Sequence, residues 1–164
     1  MAALYSSNLR FRDLYGPPGL EFAAHIALYA PCVRTYRDDG NVTGKPIRMF
    51  HGIADDVFSI EPCREYVARL KQNDVDIELA EFPGAYHSFD ALPLKTPMVI
   101  PQAMSTRNCR LQEGDNGQLL NRATNKPFAP TDACVERGNT YACNGAAAAA
   151  TSEAVKTFLT VTLK

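Results

Sequence analysis

With 164 residues, 46% of them apolar, the chain is long enough for one ordinary globular domain with a sizeable core. A formal net charge of −1 and a pI near 6.3 argue against a nucleic-acid partner. Arg10 and Arg12, the nearest thing to a basic cluster, read as a solvated helix face. The longest apolar stretch, Phe22 to Cys32, is broken by His25 and too short to cross a bilayer, so no membrane partner is expected. Met1 leads into Ala-Ala-Leu-Tyr-Ser-Ser without a basic segment, and no signal peptide is expected there.

Residues 2–14 read as one helix, with Leu4, Leu9, Phe11 and Leu14 on its apolar side and Gly16-Pro17-Pro18-Gly19 ending it. Ala23 to Tyr29 is a nearly continuous apolar run, the pattern of a buried parallel strand. After the polar turn Arg37-Asp38-Asp39-Gly40-Asn41, Pro46 to Phe50 forms the next strand and runs into a turn at Gly52. Cys63, Tyr66, Val67 and Leu70 recur at the spacing of a helix packed on a sheet, with Ser59 as its N-cap. Val75, Ile77 and Leu79 alternate with acidic residues as a further strand. Strand, helix, strand at this spacing is a βαβ unit, so the sheet should be parallel.

Beyond Asp90 the periodicity dissolves until about Thr140, too long a stretch for an ordinary loop and better read as an excursion. Gly145 to Leu163 forms the last helix, with Ala150, Ala154, Phe158 and Val161 sharing a face. Five cysteines are a mild excess for this length. Cys32 follows one strand and Cys63 opens the helix after the next, while Cys109 and Cys134 bracket the excursion. Two disulfides with Cys143 left over are expected, implying an oxidising compartment, periplasmic or secreted. Four paired cysteines allow three connectivities, and sequence alone does not choose among them; Cys109–Cys134 and Cys32–Cys63 are the pairs expected. No cysteine or histidine spacing fits a structural zinc site.

Two segments carry chemistry: Phe50-His51-Gly52-Ile53-Ala54-Asp55-Asp56 and Phe82-Pro83-Gly84-Ala85-Tyr86-His87-Ser88-Phe89. Functional groups in open parallel sheets sit on loops at the carboxyl ends of strands, where Asp55 and His87 both fall. A carboxylate there fixes the imidazole tautomer, and the imidazole moves the proton of a nucleophile. Asp56 reads as a helix-entry or supporting carboxylate, His51 as a structural turn residue and His25 as a satisfied buried histidine. A metal site from His51, Asp55, Asp56 and His87 lacks the usual ligand spacing. No nucleophile emerges. Ser6 and Ser7 lie inside a helix without flanking glycines, Ser88 adjoins the histidine, and Cys32 has no glycine-framed elbow.

The segments Phe22 to Cys32, Pro46 to Asp56, Pro62 to Leu70 and His87 to Asp90, in that order, resemble the dienelactone hydrolase family of the α/β-hydrolase superfamily. The likeness is densest over residues 20–90. It implies one partial domain over residues 1–164, a three-layer α/β/α fold with a mostly parallel sheet, the excursion spanning about 91–140. It further implies Asp55 as the acid and His87 as the base of a Ser/Cys-His-Asp triad that cleaves a small-molecule carboxylic ester or lactone without a cofactor. The family's nucleophile sits on a Gly-x-[Ser/Cys]-x-Gly-Gly elbow, absent from these residues. It is expected upstream of Met1, leaving the chain alone inactive and prone to self-association through an exposed sheet edge. A non-catalytic binding or assembly module on the same scaffold is the alternative expectation.

Overall fold

The computed structural model describes residues 2–164, the side chain of Ala2 excepted; Met1 lies outside the described residues. The chain is mixed α/β. Its centre is a parallel three-stranded sheet in the order β1-β3-β4, built from β1 (His25–Leu28), β3 (Ile47–Gly52) and β4 (Ile77–Phe82). Helix α3 (Glu61–Lys71) makes the crossover between β3 and β4, as the βαβ pattern requires. The predicted stripe is the buried one, with Cys63, Tyr66, Val67 and Leu70 all in the core. Its start differs from expectation. Ile60 holds the N-cap position without a side-chain bond, Pro62 lies in the first turn, and Ser59 Oγ only accepts a 3.4 Å bond from the Glu61 amide.

Strand alternation divides the apolar side chains into two clusters. Ala27, Ile47, Met49 and Ile77 pack with Cys63, Tyr66, Val67 and Leu70 of α3 and with Ala3 and Leu4 of α1 (Ala2–Ser7). Ile26, Leu28, Phe50, Ala80 and Phe82 gather with Ala85, Phe89, Ala147 and Val155, the last two from α4 (Gly145–Thr162). Period-2 side-chain direction thus gives the sheet apolar contacts on both faces.

The N-terminal helix is two helices. Asn8 breaks it, and α2 (Leu9–Tyr15) begins anew. Asn8 has extended backbone, its Oδ1 accepts from the Phe11 amide at 3.1 Å, and its Nδ2 donates to Asp38 O at 3.0 Å. An asparagine that caps better than it propagates explains the break. Arg10 and Arg12 are not merely solvated. Arg10 grips Glu113 with both terminal nitrogens, and Arg12 pairs with Asp13 and Glu21. In α4 the buried face is turned from the expected one. Ala147 and Thr151 are buried and Val155 half-buried, whereas Ala150, Ala154 and Val161 are exposed.

Residues 91–140 are not structureless. Parallel ladders form the central sheet and join β2 (Arg34–Thr35) to β6 (Leu111–Glu113), and a single parallel bridge joins His87 to Tyr141. Antiparallel β7 (Leu119–Asn121) and β8 (Lys126–Pro127) extend that second sheet, while β5 (Met98–Ser105) and β9 (Glu136–Tyr141) form an antiparallel ribbon. Such short strands of mixed polarity carry little period-2 signal. The excursion leaves and returns at one place: His87 O, Leu94 O and Phe89 O accept from the amides of Ala142, Cys143 and Asn144. It is an insertion in the loop after β4.

Both expected disulfides are present, Cys32–Cys63 and Cys109–Cys134, and Cys143 is free. Among the described residues no helix is long and apolar enough to cross a membrane. Cys109–Cys134 spans 25 residues, and the cross-link should contribute about 3 kcal/mol in the chain-entropy model. The double variant Cys109→Ser, Cys134→Ser should therefore lose about 3 kcal/mol of unfolding free energy in urea denaturation, with retained secondary structure.

Candidate functional site

Strand β3 ends at Gly52 because the chain turns there against the loop after β4. A Cβ on Gly52 would stand 2.1 Å from Ala85 O and 2.6 Å from its carbonyl carbon. Space, not backbone freedom, demands glycine, since Gly52 does not have positive φ. The approach lets Ile53 N–H donate to Phe82 O at 2.9 Å and Ala54 N–H to Ala85 O at 3.1 Å. The two loops are thereby stitched side by side, with Asp55 and His87 one and two residues beyond the stitch.

Asp55 is buried, and its carboxylate accepts from three directions. Oδ1 takes the amides of Val57 and Phe58, each at 2.9 Å, and Oδ2 takes Nδ1–H of His87 at 2.9 Å. The amide bonds close an Asx-type turn that fixes the carboxylate before the histidine arrives. Donation from Nδ1 leaves Nε2 of His87 with the lone pair in the neutral ring, and Nε2 has no hydrogen-bond partner among the described residues. The expected pair is therefore in direct contact at one end of the sheet.

Three rings surround His87: Tyr29 at 4.5 Å, Phe58 at 5.5 Å and Tyr141 at 5.5 Å between centroids. Tyr29, at the carboxyl end of β1, has φ of +40°, and Ser88, just after the histidine, has φ of +59°. Positive φ in a tyrosine is strained backbone, and such strain collects at functional positions. Burial pushes the Tyr29 phenol up, with Asp90 adding to the shift. None of the three rings stands out in the sequence. Tyr29 was open to inference from its place at a strand's carboxyl end, but Tyr141 comes from the excursion and had no sequence signal.

The remaining candidates are placed as follows. His51 is not in a turn but on β3, fully buried, with Nε2 3.0 Å from Phe58 O and 3.4 Å from Asp55 Oδ2. Asp56 does not enter the helix. Its carboxylate accepts from the amide and hydroxyl of Thr140 on β9, at 2.7 and 2.8 Å, and Arg107 Nη1 donates to its carbonyl at 2.8 Å. Asp56 latches the inserted ribbon to the turn bearing Asp55. His25 is a satisfied buried histidine, with Nδ1 2.9 Å from Ser6 Oγ and Nε2 3.2 Å from Thr43 Oγ1. Ser6 donates its own hydrogen to Ala3 O, which leaves it a poor nucleophile. No group of three or more His, Cys, Asp or Glu side chains is arranged to hold a metal ion among the described residues.

A large cavity, about 1040 Å³, is elsewhere. Tyr5, Phe11, Tyr15, Leu20 and Phe22 line it, together with Arg10, whose charge Glu113 already satisfies. Comparison with protein-family models, curated proteins and solved structures finds no match for this chain.

Gly52→Ala should cost about 3 kcal/mol, since neither backbone can retreat without breaking the stitch. Urea denaturation checks it, with Gly84→Ala, whose Cβ would meet open space but sits at positive φ, as a milder comparison. A pH effect follows from His25 and His51, both pushed below the ordinary imidazole value chiefly by burial. Below about pH 6.5 the unfolded chain takes up protons that the folded chain refuses, so stability falls as pH falls. The urea midpoint should be lower at pH 5.5 than at 7.5, and less so in His25→Gln, His51→Gln.

Proposed function

We propose that this chain supplies the acid and base of a nucleophile–His–acid acyl-transfer system of the dienelactone hydrolase type. Asp55 is the acid, His87 the base, and the substrate a small-molecule carboxylic ester or lactone. The observation that carries the reading is the 2.9 Å bond from His87 Nδ1 to a buried carboxylate already held by two amides, with Nε2 left free. In that arrangement Nε2 takes the proton of a serine or cysteine as it attacks the carbonyl carbon. The tetrahedral adduct collapses, the leaving alkoxide takes the proton from Nε2, and water repeats the cycle on the acyl-enzyme. Asp55 keeps the imidazole in the reactive tautomer and stabilises its cation. These steps require no cofactor.

The nucleophile and its oxyanion donors belong, on this reading, to a segment preceding Met1. Two features support where it docks. Strand β1 has one neighbour in the central sheet among the described residues, so its other edge is free to pair. The loop after β4 carries His87 past β3 to Tyr29 at the end of β1. A further parallel strand on that edge would run about 4.8 Å from β1, its carboxyl end beside the imidazole. With such strands added, the helix contacts on both faces of the sheet become the three-layer α/β/α arrangement of an α/β-hydrolase. The two disulfides favour an oxidising compartment, periplasmic or extracellular. One observation favours the alternative, a non-catalytic binding or assembly module: the large aromatic-lined cavity is at α1 and α2, away from His87.

In-frame sequence upstream of Met1 should encode a Gly-x-[Ser/Cys]-x-Gly-Gly segment. In that longer protein His87→Ala should reduce kcat on p-nitrophenyl acetate by about 10³-fold or more, and Asp55→Asn by a comparable factor. The 164-residue chain alone should not exceed an equimolar imidazole control. Full esterase activity in His87→Ala would refute the triad assignment.

A further inference from the structure

His51 has no task in the proposed chemistry, yet, unlike His25, it lies directly behind the acid. Its ring is fully buried, and so is the Asp55 carboxylate. Nε2 is between two acceptors, Phe58 O at 3.0 Å and Asp55 Oδ2 at 3.4 Å. Nδ1 faces a different neighbour, Sγ of Cys63 at 3.7 Å. That sulfur is spent in the Cys32–Cys63 disulfide, so it has no hydrogen to donate and is a weak acceptor. The hydrogen of the neutral ring therefore belongs on Nε2, where it reaches the carbonyl of Phe58.

Phe58 is no bystander. Its amide is one of the two that hold Asp55 Oδ1, and its ring is one of the three around His87. A donor fastened to its carbonyl therefore fixes the residue that secures the acid on one side and packs the base on the other. We propose that His51 is a positioning residue: a permanently neutral Nε2–H imidazole that anchors Phe58 and thereby holds Asp55 in register with His87. The proposal rests on the Asp55–His87 reading above and adds a third residue to it. Burial, which holds His51 below the ordinary imidazole range, keeps it neutral while it does so. Two imidazoles thus flank one carboxylate with different assignments. His51 carries its hydrogen on Nε2 and never serves as a base; His87 carries it on Nδ1 and keeps Nε2 for the reaction.

Side-chain ¹⁵N spectra of the chain, labelled at histidine, read both tautomers without any turnover. In the unsubstituted protein His51 should be the Nε2–H form and should protonate only at a lower pH than the histidines of the unfolded chain, while neutral His87 should be the Nδ1–H form. His51→Leu fills the space without a donor and should release His87 to the mixed tautomers of an unrestrained imidazole. His51→Gln, whose amide can again donate to Phe58 O, should restore the Nδ1–H form. Asp55→Asn separates the two levels of the reading. If it leaves His87 as Nδ1–H, the Asp55–His87 pairing has failed and the role of His51 fails with it. If it abolishes that form but His51→Leu does not, the role of His51 alone is overturned. Should the leucine variant not fold, the unsubstituted protein decides: a hydrogen on Nδ1 of His51, or a cation there at pH 6, rules the proposal out. Absence of esterase activity in the longer protein would count against the hydrolase reading and leave these spectra unchanged.

Discussion

The near-contact of Gly52 with Ala85 is the constraint on which the site depends. A carbonyl oxygen occupies the position where any other residue would carry its Cβ, so the ends of β3 and β4 are held closer than ordinary side chains allow. Two backbone bonds, from Ile53 to Phe82 and from Ala54 to Ala85, follow at once. The Asp55–His87 bond is then a short extension of a stitched backbone rather than a meeting of two independent loops. Preorganisation of this kind removes the ordering entropy that a flexible pair would lose each time it formed.

Electrostatics at the site follow from which groups are already satisfied. Asp55 stays buried as a carboxylate because amides from its own turn and the His87 ring surround it, and a buried charge without such partners would be prohibitive. His25 and His51 show the opposite solution. Each is buried among neutral or fully engaged groups, each is driven toward its uncharged form, and each is bonded locally through at least one ring nitrogen. Of the ring nitrogens left without a hydrogen bond, Nδ1 of His51 is buried against the Cys32–Cys63 disulfide, whereas Nε2 of His87 belongs to a ring that is not fully buried. Environment, not residue type, separates the three.

The long insertion after β4 is tolerated because it closes on itself. Its returning segment, residues 142–144, bonds to the outgoing loop at residues 87–94, so the central sheet sees it as a short connection. Cys109–Cys134 and the Arg10–Glu113 ion pair tie its second sheet internally and to α2, and Asp56 ties the β5–β9 ribbon to the acid turn. Through Tyr141 the insertion also contributes a wall to the His87 site. A segment with little core of its own is thus ordered by polar anchors.

Local pattern by itself determined the βαβ unit, the buried stripe of α3 and the positions of Asp55 and His87 at strand ends; the choice among three disulfide connectivities was made by the fold. In each of the former, side-chain periodicity or the reach of a short connection dictates the geometry. The N-terminal region was legible as helical but not its break, where the local cap from Asn8 to the Phe11 amide is joined by bonds to Asp38 O and Asn41 O, acceptors distant in sequence. The alanine-rich start of α4 offers no contrast between faces, so its inward side was decided by contact with Phe50, Ala85 and Phe89. The small sheets of residues 98–141 were hidden because their strands depend on partners and anchors distant in sequence. The roles of Tyr29, His51 and Tyr141 were decided only in three dimensions. What each can do depends on a nitrogen, a carbonyl or a ring brought close by the fold, and distances of 3–5 Å between remote residues leave no trace in local spacing.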